Sequence, residues 1–155
     1  MNPHVLVLHF PIALLTVYTA MEVLRFRRLT SQSWWLPVKA FLSILGALSA
    51  GASFLSGKFI EDAFERGPLA PLLEAHELAA FLTTGIFGLI ALYYLWTAYC
   101  AIKGLREPKV PPILLILAAL LGFAFLSITG ALGGAMAFGP DVDPLSRFLY
   151  DLLMP

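Results

Sequence analysis

Charge is scarce in this 155-residue chain: Asp, Glu, Lys and Arg make up 13% of it and cancel to a net charge of +0. Ordinary soluble domains carry about 25% charged and about 45–50% apolar residues. Here the apolar share is 59% and the mean hydropathy is +0.84. A soluble globule of this size would leave much of that surface in water, so the composition excludes a soluble enzyme and a disordered chain. With no positive excess there is no electrostatic footprint for a phosphate backbone, which excludes a nucleic-acid binder. Cys100 is the only cysteine, and no CxxCH occurs. An intrachain disulfide, a Cys-rich metal or iron–sulfur site and a covalently attached c-type haem are therefore excluded as well. A cleaved signal peptide is not expected. The first apolar run begins at Val5 with no Lys or Arg before it, no A-x-A-like site follows, and the chain runs on to Arg25-Phe26-Arg27-Arg28.

What the chain has in abundance is long apolar runs. A membrane crossing takes about 20 predominantly apolar residues, and four runs qualify: about 5–24, 36–55, 72–102 and 112–138. Inside lipid each must be a helix, because every backbone N–H and C=O needs a partner within the segment. The expected fold is therefore all-α, a single domain forming an integral membrane bundle of four transmembrane helices. Pro111-Pro112 suits a helix start. Pro11 lies inside the first run and should kink it, freeing the carbonyl of Val7.

Loop charge sets the expected orientation. Arg25, Arg27, Arg28 and Lys39 with Lys103, Arg106 and Lys109 give seven cations for loops one and three, against three (Lys58, Arg66, Arg147) for loop two and the tails. That asymmetry puts loops one and three in the cytoplasm and both termini on the periplasmic side of a bacterial inner membrane. Trp34, Trp35, Tyr93, Tyr94, Trp96 and Tyr99 gather at the cytoplasmic ends like an interfacial aromatic belt. After Gly139-Pro140 a short helix is expected over about 143–154, with Asp143 as N-cap and Pro144 first in the helix. Leu145, Phe148, Leu149, Leu152 and Leu153 repeat at helical spacing there, which reads as an interfacial anchor or a lid over an outer site. Small residues mark close helix contacts: Gly46, Ala47, Ala50, Gly51, Ser53, Ser56 and Gly57 in span two, and Gly130, Gly133 and Gly134 in span four, with Gly130 and Gly134 at GxxxG spacing. The same glycines could let a flat cofactor lie against the helix.

Ionisable groups near a membrane interior are functional candidates by default. His4, His9, Glu61, Asp62, Glu65, Glu74, His76 and Glu77 all map to the outer side, and every histidine of the chain is among them. At 1.5 Å per residue His9 lies about 24 Å from Arg25, and His76 lies about 30 Å from Trp96, so the two share a depth if Trp96 marks the inner boundary. If Lys103 marks it, His76 stands about 40 Å away and His4 becomes its better partner. Four readings stay open. His9 and His76 could be the axial ligands of one haem b between spans one and three. His4, His9, Glu74, His76 and Glu77 could hold a Zn, Fe or Cu ion. Yet Glu74-Ala75-His76-Glu77 is neither HExxH nor ExxH, and His4 and His9 fall on different helix faces. The third reading is structural, with His9 bonded to a neighbouring helix and Glu74 and Glu77 favourable at a helix start. The last is transport or quinone binding, although internal repeats and a mid-membrane ionisable group are not apparent.

The stretch His4-Val-Leu-Val-Leu-His9-Phe10-Pro11-Ile12-Ala13-Leu14-Leu15, with His76 and Thr129-Gly130-Ala131-Leu132-Gly133-Gly134, resembles a family of small four-span bacterial membrane proteins of unknown function. Its members typically open with a His and, five residues later, HFPIALL, carry a His near the outer start of span three, and end the last span with TGxLGG and a short outer tail. The likeness covers nearly the whole chain. It departs where the family often has an Asp shortly after the glycine ending span two; here Gly57 is followed by Glu61 and Asp62 in a different register. The resemblance implies a fold, a membrane location and a setting among respiratory and redox proteins, and it supplies no activity. The expected function is a small haem b-binding, cytochrome-like protein or subunit that carries electrons on the periplasmic side. His9 and His76 would be axial ligands, and Gly130, Gly133 and Gly134 would make room for the ring. Such a protein would sit in the lipid bilayer and need a quinol pool or a partner, a larger membrane complex or a homo-oligomer. The alternatives are a cofactor-free accessory subunit of a respiratory or photosynthetic complex, and a His/carboxylate metal-binding membrane protein.

Overall fold

A computed structural model describes residues 3–58 and 67–154, with the backbone alone for residues 3–7 and 58. The apolar runs form helices α1 (Pro3–Val23), α3 (Trp35–Lys58), α4 (Ala70–Lys103) and α5 (Pro112–Phe138). A four-residue helix, α2 (Arg27–Thr30), lies in the first connection, and a 3-10 turn (Pro140–Val142) leads into α6 (Pro144–Leu153). Trp35–Gly57, Ala70–Lys103 and Pro112–Phe138 are long and apolar enough to cross a membrane, and Leu8–Val23 of α1 is a shorter apolar helix. Their outer faces are greasy: Leu48 is 66% exposed, Leu89 70% and Ile102 83%. Such continuous exposed apolar surface is a liability in water and ordinary in lipid.

The helix ends follow local chemistry. Proline occupies the first turn of α4, α5 and α6, where a missing N–H costs nothing. Gly104 ends α4 in the left-handed region at φ 64°, open to glycine without penalty, and its N–H returns to the carbonyl of Ala101. Helix α1 runs uninterrupted through Pro11.

The four long helices alternate in direction. α1 packs on α3, α3 on α4 and α4 on α5, while α5 meets α1 over a shorter stretch and closes the ring, so α1 and α4 stand diagonally opposed. Two glycines permit the closest approaches. A Cβ at Gly46 of α3 would run into Leu15 of α1, and one at Gly122 of α5 would lie 2.8 Å from Cε2 of Phe87 in α4. The centre is filled by Leu15, Tyr18, Phe87, Ile90, Tyr94 and Leu126. A second cluster, Leu72, Leu132 and Ala135, seats Leu149 and Leu153 of α6 across the end of the bundle opposite the basic loops.

Three expectations need correction. Lys39 is not a loop cation: it lies inside α3, 4% exposed, so the asymmetry of basic loop residues is six to three. Trp35 and Tyr94 do not belong to an interfacial belt, being 6% and 2% exposed; Trp34, Trp96 and Tyr99 are the surface members, with Trp96 and Tyr99 stacked on each other. Gly130 and Gly134 do not form one helix-packing motif. A Cβ at Gly130 would meet nothing within 4 Å, whereas Gly134 abuts Val142 and Ser146.

Candidate functional site

Two polar centres lie at opposite ends of the bundle. At the end carrying α6, His76 projects from the second turn of α4 onto α5. Its Nδ1 lies 3.0 Å from the carbonyl oxygen of Thr129, and its Cε1 would be 3.2 Å from a Cβ on Gly133. A carbonyl only accepts, so Nδ1 is the donor in this contact. The Thr129 hydroxyl bonds back to Phe125 within α5, which leaves the Thr129 carbonyl to fix the imidazole. The TGxLGG segment thereby acquires a mechanical meaning. Thr129 and Gly133 receive His76, and Gly134 receives the connection to α6.

That connection is tightly made. Asp143 caps α6 by accepting from the N–H groups of Leu145 and Ser146 and from the Ser146 hydroxyl. The buried Ser146 Oγ also contacts the carbonyl oxygen of Ala131 at 2.8 Å. The Ser146 hydrogen bonds, then those from the backbone, hold the Asp143 carboxyl below the usual carboxylate range. Arg147 pairs with Asp141 and faces Asp151, lining the wet side of α6.

The remaining candidates are not gathered around His76. His9 is exposed on α1, on the face it shares with Ile12 and Thr16. Among the described residues no hydrogen bond joins the two imidazoles, and no group of three or more His, Cys, Asp or Glu side chains is arranged to hold a metal ion. Glu74 is exposed and Glu77 half-buried in the first turns of α4. The side chain of His4, together with Glu61, Asp62, Glu65 and Arg66, lies outside the described residues. The three glycines face three ways: Gly130 toward the α1–α5 seam, Gly133 toward His76, Gly134 toward α6.

The second centre went unread in the sequence. Glu22 of α1 is fully buried, and both of its carboxyl oxygens accept hydrogen bonds. Its Oε2 accepts from Lys39 Nζ at 2.6 Å, Tyr94 Oη at 3.1 Å and Tyr18 Oη at 3.3 Å, and its Oε1 accepts from Arg25 Nη1 at 2.6 Å. Four donors converging on one carboxyl identify it as the carboxylate. Lys39 also stands 5.8 Å from the centroid of the Tyr94 ring, within cation–π range. Tyr18 meets Phe87 and Tyr94 edge to face, at 6.2 and 6.0 Å, which ties the pair into the core. Two signals pointed here: Glu22 is the lone charge of the first run, and Lys39 falls inside the 36–55 run.

Over residues 2–143 the sequence matches the family described as "Predicted membrane protein (DUF2231)". The chain belongs to that family. No curated protein and no solved structure matches it. Membership establishes a membrane protein and leaves the activity to be argued from the two polar centres.

Proposed function

We propose that this DUF2231 protein is a four-span protein of the bacterial inner membrane, with both termini outside, that binds haem b at its outer end and exchanges electrons there with a quinol pool or a larger membrane complex. Orientation rests on the basic loops: Arg25, Arg27, Arg28, Lys103, Arg106 and Lys109 all sit at one end, opposite α6. α1 is the fourth span in this reading, its apolar length extended by the turns before Leu8.

The observation that carries the cofactor reading is the contact between His76 Nδ1 and the Thr129 carbonyl. Ligating histidines almost always donate their second nitrogen to a carbonyl or carboxylate, which fixes the tautomer and aims the other nitrogen at the metal. His76 has that arrangement within the bundle. His9 is the second ligand in this reading, brought from α1. A haem held by two imidazoles would supply one-electron transfer. The protein's part is to orient the His76 ring against Gly133 and to keep that end of α5 covered by α6.

A cofactor-free accessory subunit is the second reading. It is favoured by the exposure of His9 and by the division of the three glycines among three neighbours. One absorption spectrum of detergent-purified protein decides between them. Haem binding predicts a Soret band that disappears in His76→Ala and changes or disappears in His9→Ala. Colourless, folded protein from haem-replete cells refutes it and leaves the accessory subunit.

A further inference from the structure

Among the described residues, two grooves run along the outside of the bundle. The one between α4 and α5, about 320 Å³, is lined by aliphatic side chains and Tyr93, and nothing in it distinguishes one hydrocarbon chain from another. The other, about 260 Å³, follows the lightly closed α1–α5 seam. Its walls include Ile12 and Thr16 of α1 and Phe123, Ser127 and Gly130 of α5, and Asp143 stands at its α6 end.

We propose that the α1–α5 groove is a binding site for the ring of a lipid-soluble quinone. Depth supports this first. Thr16 lies seven residues from the end of α1 at Val23, about 10 Å along the axis, and Ser127 lies eleven residues from the end of α5 at Phe138, about 17 Å along its axis. Both hydroxyls therefore sit within the hydrocarbon layer, where a phospholipid, held by its headgroup at the interface, places only methylenes. A quinone is a small neutral ring with two carbonyl oxygens and an apolar tail, and it enters that depth freely.

The hydrogen-bonding inventory agrees. Thr19, Thr83, Thr97 and Thr129 each return their hydroxyl to the carbonyl four residues back. Thr16 is exposed to the groove and makes no such bond among the described residues, so it can donate to a quinone carbonyl. Ser127 gives its proton to the Phe123 carbonyl at 2.9 Å, which leaves its oxygen to accept from the hydroxyl of a reduced ring. Phe123 adds an aromatic wall. The Asp143 carboxylate at the outer end disfavours an anionic headgroup and is indifferent to a neutral ring. Gly130 fits the same picture. Gly133 and Gly134 each receive a neighbouring side chain, while the space above Gly130 opens into the groove. The site is separate from the His76 contact and stands whether or not His76 ligates iron.

The test is titration of detergent-purified protein carrying Phe123→Trp with a short-chain benzoquinone, read as quenching of the new indole over the background of Trp34, Trp35 and Trp96 in the unsubstituted protein. Saturable extra quenching is expected. It should be abolished by Gly130→Leu, which fills the groove, and shifted about five- to tenfold to higher concentration by Thr16→Val, the worth of one neutral hydrogen bond. A phospholipid of equal chain length should not compete. A photoreactive azido-quinone on the unsubstituted protein gives a second reading, expected to label residues 12–16 and 123–131. Non-saturating quenching, unchanged binding in Gly130→Leu, displacement by the phospholipid or labelling elsewhere would each overturn the site. The haem spectrum reports separately on His76.

Discussion

Replacing Lys39 by Met is the most informative single perturbation of the buried network. Met keeps the length of the side chain and removes the charge. Glu22 then stays at 0% exposure with Arg25, Tyr18 and Tyr94 as its donors and loses its closest buried cation, at 2.6 Å. Breaking a buried pair by deleting one partner typically costs about 3–5 kcal/mol, because a charge is left uncompensated in a medium that solvates it poorly. Arg25, whose side chain is 32% exposed, partly compensates, which favours the lower end of that range. Replacing both partners, Glu22→Leu with Lys39→Met, removes the desolvation cost along with the attraction and should be milder than either single change. Tyr94→Phe deletes one neutral donor and should cost only about 0.6–1.5 kcal/mol, the value of a side-chain hydrogen bond in a membrane protein. The assay is reversible unfolding in mixed micelles with increasing SDS, followed by far-UV circular dichroism, with the two single variants and the double variant forming one cycle. A Lys39→Met variant within about 0.5 kcal/mol of the parent, the value of an exposed pair, would refute a buried network. So would strict additivity in the cycle.

The glycines separate cleanly in prediction. Gly133→Val should displace the His76 ring, since even a Cβ would sit 3.2 Å from Cε1, and should cost about 1–3 kcal/mol of overpacking; the imidazole resonances of His76 in NMR would move with it. Gly51→Ala, with nothing within 4 Å, should instead stabilise α3 by roughly 0.5–1 kcal/mol through helix propensity alone, measured in the same SDS titration. Asp143→Ala removes the cap of α6 and should loosen it, seen as faster amide exchange across Pro144–Leu153 with the four long helices unchanged. The Asp143 cap of α6 should also weaken in acid. The folded-state pKa of Asp143 is lowered, so its contribution is fully present above the ordinary value of 3.8 and is lost as pH falls through the lower folded value. Exchange in α6 that stayed constant between pH 5 and pH 2, after correction for intrinsic rates, would contradict this.

The helices were legible because lipid removes ambiguity. A run such as 112–138 has no other way to satisfy its backbone, and Pro112 marks its start as clearly as Asp143 and Pro144 mark the start of α6. What composition could not give is which face of a helix looks inward. Trp35 and Tyr94 resemble Trp34 and Tyr99 in any one-dimensional reading, yet the first two are inside and the second two outside. The apolar character of these helices runs all the way round, so periodicity carries no facing information. The same blindness hid the Glu22–Lys39 pair. Each charge was visible, but only the packing of α1 on α3 puts residues seventeen apart in contact. His76 stood out in the sequence as an imidazole near a membrane interior. Its partner, a backbone carbonyl of Thr129, has no side-chain signature to read.

The separation of the two centres constrains what the bundle can do. His76 and Tyr94 lie eighteen residues apart on α4, about 27 Å along its axis. Between them the core is Leu15, Phe87, Ile90 and Leu126, and the hydroxyls of Thr83, Thr19 and Ser43 are turned back onto carbonyls of their own helices. A proton relay needs donors and acceptors within hydrogen-bond reach of one another at every step, and the hydroxyl bonds of Thr83, Thr19 and Ser43 do not link the two centres. The Glu22 network therefore acts at the basic end, where it joins α1, α3 and α4 and reaches the surface only through Arg25. Under the proposed function, electron exchange at the His76 end would be completed on the same side of the membrane by something that arrives there, either a soluble partner or a carrier moving within the lipid. A lipid-borne carrier needs a lateral entrance, and the α1–α5 seam, below Asp143 and on the helix face that bears His9, is where the ring of helices is least closed. If the proposed electron-exchange function holds, tightening that seam by substitution at Gly130 should impair turnover with a membrane-soluble electron donor while leaving reduction by a small water-soluble reductant unaffected.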